Sequence, residues 1–374
     1  MRLPRTSPRY RLSPWSTPAL VVIAVAITFL VTSGPILLAG ANPIAAYAEF
    51  VVIPLTSRFT LLEVLVSATP ILFTGAAVAI AFRAGYWNIG AEGQLLLGAT
   101  AAAGVGAAVG DLPAIVALPA MLAAGALAGA SWALLPALLR VRFGIDEVVT
   151  TLLLNPVALL LVTGLLHGPW RDPVTGFPES PRIAASAEFP ALIDRSRLHL
   201  GFVIGLIVIA IAWYVIARTP AGLRLRAVGL SPHGARFAGI SVSRTLIVAA
   251  LASGAVAGLA GVSEVAGIQH RLTSGLSPGY GYTGIVVATL GTLAMPGVIL
   301  AALFLGDLAV GASTAARSLG IPSQLGAVVQ GVLLLTVVAL LALRRGRSTR
   351  PADTGPAGAE ATDDESAPVE EPVA

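Results

Sequence analysis

The sequence predicts an all-α protein, a polytopic bundle of transmembrane helices. Hydrophobic residues make up 56% of the 374 residues, charged residues make up 11%, and the mean hydropathy is +0.86. Such a chain has too little polar surface to cover a water-soluble globule of this length. Its apolar runs also approach the roughly 20 residues that a helical span needs, whereas the strands of a membrane barrel would alternate over about 10 residues.

The apolar runs, taken in order, locate the helices. The first run follows an arginine-rich segment but is too long for the core of a signal peptide, so we interpret it as an uncleaved span. Helices are predicted near residues 19–40, 61–82, 91–110, 113–139, 147–166, 200–217, 245–267, 283–293, 298–312 and 325–343. The prediction is therefore about ten spans, of which the eighth and ninth are short.

The division of the eighth and ninth helices near Met295 is inferred from charge. An even number of crossings keeps the arginines after residue 343 on the same side of the membrane as those before residue 19. Half-length helices at this point would be re-entrant elements that face protein rather than lipid.

The arginines also predict the orientation of the chain. Most of them lie in segments that share a side with the N-terminus, and the positive-inside bias makes that side cytoplasmic. Residues 1–18 are then a basic cytoplasmic N-terminus and 19–343 the membrane domain. Within that domain, 167–199 is an outer loop long enough to form a small cap, and 218–244 is a cytoplasmic loop. Residues 344–374 form an acidic cytoplasmic tail whose composition predicts disorder.

The residue types that the sequence lacks exclude several kinds of chemistry. Without cysteine, the chain has no disulfide, thiolate metal site or cysteine nucleophile. Without lysine, it has no Walker A phosphate-binding loop, so another chain would have to hydrolyse any ATP. The sequence pI is about 9.9, but the arginines are scattered between apolar runs, so we do not expect nucleic acid to bind.

The histidines and carboxylates show no catalytic or metal-binding pattern. His167, His199, His233 and His270 are dispersed without metal-ligand spacing. Paired carboxylates, a nucleophile elbow and a zincin motif are also missing from the sequence. We therefore expect a protein that is not an enzyme, with no catalytic residue and no metal site.

The most informative segment is RAGYWNIGAEGQ, which starts at Arg83 and interrupts two apolar runs. An unpaired polar group in hydrocarbon costs several kcal/mol, so this segment must face protein or a water-filled cavity. Asn88 is predicted to cap the next helix by accepting hydrogen bonds from the amides of Gly90 and Ala91. Glu92 then lies in the first turn, where the helix dipole favours a negative charge.

This segment has two interpretations. It is either a helix start packed between neighbouring helices, or part of a solute path. Ionisable groups inside a membrane are usually functional, which favours the path. The candidate path residues here are Asn88, Glu92 and Gln94.

A second polar interruption follows the same pattern in RVRFGIDEVVTTLLLNP, residues 140–156. Asp146 is predicted as an N-cap and Glu147 as the first helical residue, and capping explains both. Asn155 is a further path candidate. Its alternative is an interhelical hydrogen bond.

The segment SGAVAGLAGVSEVAG, residues 253–267, combines glycines with a carboxylate. Gly254, Gly258 and Gly261 lie on one helix face and predict the close approach of another helix. Glu264, near the outer end of the same helix, is either a path residue or an interface residue.

The cytoplasmic loop contains a short helix. Ser231 is a natural N-cap, Pro232 fits the first helical position, and Gly239 suits the residue after the helix. The predicted helix has about two turns, lies outside the membrane and carries Arg236 and Phe237. A soluble motor protein could grip such a helix. The alternative is an ordinary basic loop held near anionic lipid.

Taken together and in order, these blocks resemble the permease subunits of bacterial ABC importers. The blocks are YWNIGAEGQLLLGA (86–99), DEVVTTLLLN (146–155), AVGLSPHGARFAGISVS (227–243), SGAVAGLAGVSEVAG (253–267) and GYGYTGIVVATLG (279–291). The resemblance covers residues 15–343. It is greatest to the branch that handles nucleosides and simple sugars, which is related to the ribose and branched-chain amino-acid permeases.

The resemblance implies a multi-pass protein of the bacterial cell membrane that works with several partners. These are surrounding membrane lipid, a second permease subunit, a cytoplasmic ABC ATPase that uses the ATP, and an extracytoplasmic substrate-binding lipoprotein. The chain itself would bind no cofactor. NIGAEGQ resembles the longer permease of a nucleoside system, which implies a shorter, nonidentical permease partner.

The resemblance also implies a mechanism of alternating access. ATP-driven closure of the ATPase domains would pull on a coupling helix in each permease, and the path would open to the opposite side. By resemblance, the coupling helix comprises Ser231, Pro232, His233, Gly234, Ala235, Arg236, Phe237, Ala238 and Gly239.

Two other functions stay open at this point. An ion-coupled secondary transporter also uses broken helices near the middle of the membrane. It would need acidic groups that bind protons or cations, whereas most acidic groups here lie at predicted helix starts. A membrane-embedded enzyme would form product without partners. The residues also leave open whether the substrate is a nucleoside, a sugar or another small polar solute.

Overall fold

The structure is a computed structural model that describes residues 16–172 and 176–348. Residues 349–374 of the acidic tail, for which disorder is predicted, lie outside the described residues. So do residues 1–15 of the basic N-terminus. The helices of the described part are α1 (Ser16–Leu38), α2 (Pro43–Tyr47), α3 (Arg58–Arg83), α4 (Ala91–Ala108), α5 (Ala114–Phe143), α6 (Glu147–His167), α7 (Leu200–Arg218), α8 (Pro220–Leu230), α9 (Pro232–Phe237), α10 (Val242–Glu264), α11 (Tyr280–Leu290), α12 (Met295–Leu319) and α13 (Leu325–Ser348). Short 3-10 helices (Ile53–Leu55, Ala185–Ala187) and π-helical turns (Ala48–Val52, Val265–Gln269) complete them.

The described residues form an all-helical bundle, as the sequence predicts. Their β structure is limited to isolated bridges, such as the one between Glu179 and Thr273. Every predicted helix has a counterpart. The prediction of a short ninth helix is wrong, because α12 has 25 residues. Pro296 fits its first turn, and the helix continues through small residues until Gly320, which has a left-handed φ of 68°.

Within the described residues, six helices are long and apolar enough to cross a membrane: α3, α5, α6, α7, α10 with its π-helical extension, and α12. A seventh candidate span is the pair formed by residues 22–38 and 43–55, which is bent by 119°. Helix α11 has 11 residues and is too short to cross a bilayer. The chain is therefore a multi-pass membrane protein, and the number of crossings stays a prediction.

Helix α10 is packed tightly against α4 and α5 through glycines. A Cβ on Gly258 would lie 2.2 Å from the backbone oxygen of Gly125, and one on Gly261 would lie 2.2 Å from that of Leu95. A Cβ on Gly254 would lie 2.5 Å from the backbone oxygen of Gly129. The predicted close approach along this glycine face is confirmed, since larger residues would hold the backbones apart.

One end of the bundle gathers the end of α3, the loop 218–244 and the turn after α11. Arg83 Nε donates to the carbonyl of Leu293 at 2.7 Å. A Cβ on Gly229, at the end of α8, would lie 2.2 Å from the carbonyl oxygen of Arg83. We call this the arginine end.

At the opposite end, residues 168–172 and 176–199 fold back as a small cap. The amide of Ala184 donates to the carbonyl of Gly106 at 2.8 Å, and the amide of Phe189 donates to that of Ala266 at 2.8 Å. Burial lowers the pKa of His199 to about 4. The ring is therefore neutral at pH 7, and its Nδ1 accepts a hydrogen bond from the amide of Gly201 at 3.1 Å.

Candidate functional site

Two helices begin inside the bundle rather than at its surface. Asn88, just before α4, donates to Ser253 Oγ at 2.9 Å, and Ser253 lies about 16 Å along α10 from its start. Thr74 Oγ1 donates to the carbonyl of Tyr280, the first residue of α11, at 2.9 Å. Thr74 is about 14 Å from the end of α3. The chain therefore re-enters the bundle from the arginine end before α4 and from the opposite end before α11.

Asn88 and Gln94 form a closed pair of amides. Asn88 Nδ2 donates to Gln94 Oε1 at 2.9 Å, and Gln94 Nε2 donates back to Asn88 Oδ1 at 3.0 Å. Ser253 Oγ, which accepts from Asn88, donates to the carbonyl of Ala77 at 2.7 Å. Asn88 and Gln94 are both fully buried, so the pair joins the segment before α4 to α10 and α3.

The predicted capping of α4 is corrected in part. The N-cap is Gly90, which has no side chain to cap with, and α4 begins at Ala91. Asn88 Oδ1 accepts from the amide of Gly90 at 2.9 Å, one of the two predicted bonds, while its other contacts go to Gln94 and Ser253. Asn88 lies two residues before the N-cap, so its side chain closes a turn outside the helix.

Asn155 binds the other side of the same segment. Its Oδ1 accepts from the amide of Gly93 at 2.9 Å, and its Nδ2 donates to the carbonyl of Ile89 at 2.9 Å and to Tyr282 Oη at 3.2 Å. Thr151, one turn earlier on α6, accepts from the amide of Ile89 at 3.1 Å. The predicted alternative for Asn155, a hydrogen bond between helices, is what the structure contains. We call Asn88, Gln94, Thr151, Asn155 and Ser253 the polar cluster.

Glu92 joins the two helices that begin inside the bundle. Its carboxylate accepts from the amide of Gly281 at 2.7 Å, in the first turn of α11, and also bonds with the side chain of Ser277. The side chain is 8% exposed. Glu92 lies in the first turn of α4 and accepts from an amide in the first turn of α11, so it ties the two helix starts together.

Glu264 lies apart from the polar cluster. It is 4% exposed at the end of α10, which is about 16 Å beyond Ser253 along the same helix. Arg197, in the cap, is within electrostatic range of Glu264, while Arg197 Nε donates to Glu63 at 3.1 Å. Glu264 therefore lies near the cap, and the structure does not bring it together with the other four path candidates.

Sequence reasoning missed several residues of this region. Capping explains Asp146, whose Oδ1 accepts from the amide of Val148 at 2.8 Å. Glu147 does more: it pairs with Arg140 at 3.0 Å and accepts from the amide of Trp87 at 3.3 Å. Trp87 is 60 residues from Glu147 in the chain, so no local motif marks that contact.

Tyr282 was also missed, and it reaches the surface. Its ring is 42% exposed, although it lies in the first turn of a helix that begins inside the bundle. Its hydroxyl accepts from Asn155 and keeps its own proton for another acceptor. An amphipathic side chain placed in this way can meet a ring-shaped polar solute.

A second candidate surface is the short helix α9. Ser231 Oγ accepts from the amide of Gly234 at 3.1 Å and Pro232 is in the first turn, as predicted. Gly239 follows the helix with a φ of 77°. Ala235 is buried in a small apolar core with Val228 and Val242, so the helix is held by α8 and α10.

The outward face of α9 carries a large exposed aromatic ring. Phe237 is 98% exposed, and Arg236 beside it is also exposed. Burial of a phenylalanine ring is strongly favourable, so a rigidly held, exposed ring next to a cation suits a protein contact.

Replacing Asn88 with alanine tests whether the polar cluster holds the bundle together. The change leaves Gln94 and the amide of Gly90 without a partner, and each buried unpaired group costs about 1–3 kcal/mol. We expect both the thermal midpoint of the purified protein and solute uptake to fall. Asn42→Ala is the matched control, because Asn42 is an exposed N-cap worth about 1 kcal/mol. An unchanged midpoint for Asn88→Ala would contradict the structural role.

Comparison with known proteins gives consistent matches. Residues 60–338 match the family described as branched-chain amino acid transport system, permease component. A glucose ABC transporter permease protein of Haloferax volcanii is 36% identical over 345 residues, which cover 88% of this chain and 90% of that protein. A guanosine ABC transporter permease protein of Bacillus subtilis is 37% identical over 285 residues, covering 75% of this chain and 82% of the relative.

A second guanosine ABC transporter permease protein of Bacillus subtilis is more distant. It is 27% identical over 250 residues, which cover 65% of this chain and 78% of that protein. The chain is thus similar, to different degrees, to two permease proteins of Bacillus subtilis that are both named for guanosine.

Proposed function

The chain belongs to the family of branched-chain amino acid transport system permease components, and we propose on that basis that it lines one half of the solute path of an ABC importer. It is a transport component and not an enzyme. The observation that carries the proposal is the meeting of two helix starts inside the membrane domain, joined by Glu92 and Gly281. Irregular backbone at membrane depth is stable only where protein or a watery cavity supplies partners, and transporters place it at their substrate sites.

The proposed path runs past the polar cluster, along the surface on which Tyr282 is exposed. Asn88, Gln94 and Asn155 have protein partners for their polar atoms, so they hold the path wall in place while Tyr282 faces the solute. Glu92 and Glu264 belong to the proposed path as carboxyl groups at two depths. A half-path that exposes Tyr282 on the surface of one subunit requires a second subunit to close it.

We propose nucleosides as the substrate class, with simple sugars as the nearest competitors. Support comes from the guanosine and glucose named for the relatives, and from the exposed ring and free hydroxyl proton of Tyr282. A nucleoside offers a planar base that stacks on an aromatic ring and hydroxyls that accept a hydrogen bond. A hexose offers the hydroxyls without the planar base.

The proposed orientation places the arginine end in the cytoplasm. Arg83, Arg140, Arg224 and Arg244 lie at this end together with α9. The positive-inside bias applies to such short connections, and it puts both termini in the cytoplasm of a cell-membrane protein. Helix α9 then faces the ATPase, and the small cap faces the external binding protein.

The proposed partners are a second, nonidentical permease subunit, a cytoplasmic ABC ATPase and an extracytoplasmic binding lipoprotein. Similarity to two guanosine permeases of one organism supports a pair of nonidentical permeases. ATP would be bound by the ATPase, and none by this chain. The relatives reported above are all permeases of ABC transporters, so the ion-coupled carrier considered from the sequence has no support among them.

Uptake by the complete complex tests the proposal. The chain is coexpressed with its partner permease, ATPase and binding protein, and labelled guanosine and glucose are supplied separately. We expect uptake of guanosine that stops when ATP is depleted and continues when ion gradients are collapsed. The opposite pattern of inhibition would overturn the ABC mechanism. Uptake of glucose without guanosine would overturn the substrate class and leave the mechanism intact.

A further inference from the structure

An open groove lies between α7, α8 and α10, away from the polar cluster. Its volume is about 730 Å³, which is in the size range of small-molecule sites. Most of its wall is aliphatic, with contributions from α3, α7 and α10. The deeper wall includes Ile80, Val208, Ile211, Ala212, Val248 and Val256.

The rim of this groove is basic and polar. Arg224 and Arg244 line it at the arginine end, with Ser241 and Thr245 beside them. The lining side chains among the described residues include no carboxylate. In that part of the chain the guanidinium groups of Arg224 and Arg244 have neither an ion pair nor a hydrogen bond, in contrast to Arg140, which pairs with Glu147.

The groove has the dimensions of one membrane leaflet. From Arg244 at its rim to Val256 in its deep wall is about 18 Å along α10. Half of a bilayer core is about 15 Å thick. Ile211 and Val248 are 58% and 54% exposed on the same side, so the groove opens toward the surface that hydrocarbon covers. An occupant of the groove would thus extend from the headgroup level to near the middle of the membrane.

We propose that this groove binds an anionic phospholipid of the cytoplasmic leaflet. The phosphate pairs with Arg224 and Arg244, and one acyl chain fills the aliphatic part of the groove. Unpaired cations above an apolar cleft, with no competing carboxylate, match the charge and shape of such a lipid. The site rests on the proposed orientation, which makes the arginine end cytoplasmic.

The position of the groove gives the bound lipid a defined neighbour. Ala238, Gly239 and Ile240, which connect α9 to α10, also line the groove. A lipid held there packs against the base of the helix that is proposed to contact the ATPase. The lipid would therefore stiffen the attachment of α9.

Lipid retention by the purified full-length chain tests the site without any transport assay. The chain is placed in nanodiscs of phosphatidylcholine that contain a small fraction of labelled phosphatidylglycerol, and the bound label is measured. An arginine near the headgroups contributes roughly fivefold in affinity, so we expect Arg224→Gln with Arg244→Gln to weaken binding by about 25-fold. Arg142→Gln, an exposed arginine at the same end that does not line the groove, should leave binding unchanged.

A second variant tests the apolar part separately. Ala252→Phe fills the groove and keeps both arginines, and it should also displace the labelled lipid. Thermal midpoints of all variants show whether each one is folded. Equal retention by the double glutamine variant and the unchanged chain would overturn the proposal. A crosslink from Val248 to the partner permease would also overturn it. Loss of uptake with normal lipid retention would count against the proposed function and not against this site.

Discussion

Replacing Arg236 and Phe237 with alanine is expected to reduce uptake to less than about a tenth while the complex still assembles. Phe237 is 98% exposed at the end of a helix that Ala235 fixes to the bundle. An aromatic anchor at the centre of an interface contributes about 2–4 kcal/mol, so its loss should break the link between ATP hydrolysis and movement of the permease.

The measurement compares solute uptake with the ATPase activity of the same complex. We expect substrate to stop stimulating ATP hydrolysis in the variant, because the two events are no longer linked. The chain offers a matched control in Arg142 and Phe143, another exposed arginine and phenylalanine pair at the arginine end, with Phe143 72% exposed. Alanine at both control positions should leave uptake nearly normal. Normal uptake in the Arg236 and Phe237 variant would exclude α9 as the coupling element.

Replacing Gly258 with alanine is expected to separate α10 from α5 and α4. The new Cβ would lie 2.2 Å from the backbone oxygen of Gly125 and 3.2 Å from the Cα of Gly129. Overpacking usually costs about 1–3 kcal/mol, and here the clash is with backbone that no side-chain rotation can relieve. We expect the folded yield and the thermal midpoint to fall sharply, with uptake lost as a result.

Gly164→Ala is the control for the glycine substitution. Gly164 is also in a long apolar helix, but a Cβ there would meet nothing within 4 Å. Alanine is a better helix former than glycine by up to about 1 kcal/mol, so the control should fold at least as well as the unchanged chain. A normal midpoint for Gly258→Ala would show that the helices can adjust and that the close approach is not required.

The local features of the chain were predictable from its residues. Ser231, Pro232 and Gly239 delimit α9 because a cap, a helix start and a left-handed residue each depend on neighbours within a few positions. The glycine face of α10 was predictable for the same reason, since the spacing of Gly254, Gly258 and Gly261 follows from helix geometry.

The roles of the path candidates were less predictable. Asn88 was predicted to cap α4, but it also bonds with Gln94 and with Ser253, which is 165 residues away in the chain. Glu92 was predicted at the start of its own helix. It also contacts the start of α11, where it accepts from Gly281, 189 residues away in the chain. A polar residue in an apolar run indicates that a partner must exist, but its identity depends on which helices become neighbours.

The residues by themselves determined that this protein is a helical membrane bundle, where most of its long helices lie and where the short helix α9 begins and ends. Those features depend on apolar composition and on contacts between near neighbours in the chain. Only the tertiary structure decided that α4 and α11 begin inside the bundle, that Asn155 holds the segment before α4, and that Tyr282 reaches the surface beside it. The physical reason is that apolar composition places helices in the membrane without choosing their neighbours, whereas close packing and hydrogen bonds between distant residues select one arrangement among them.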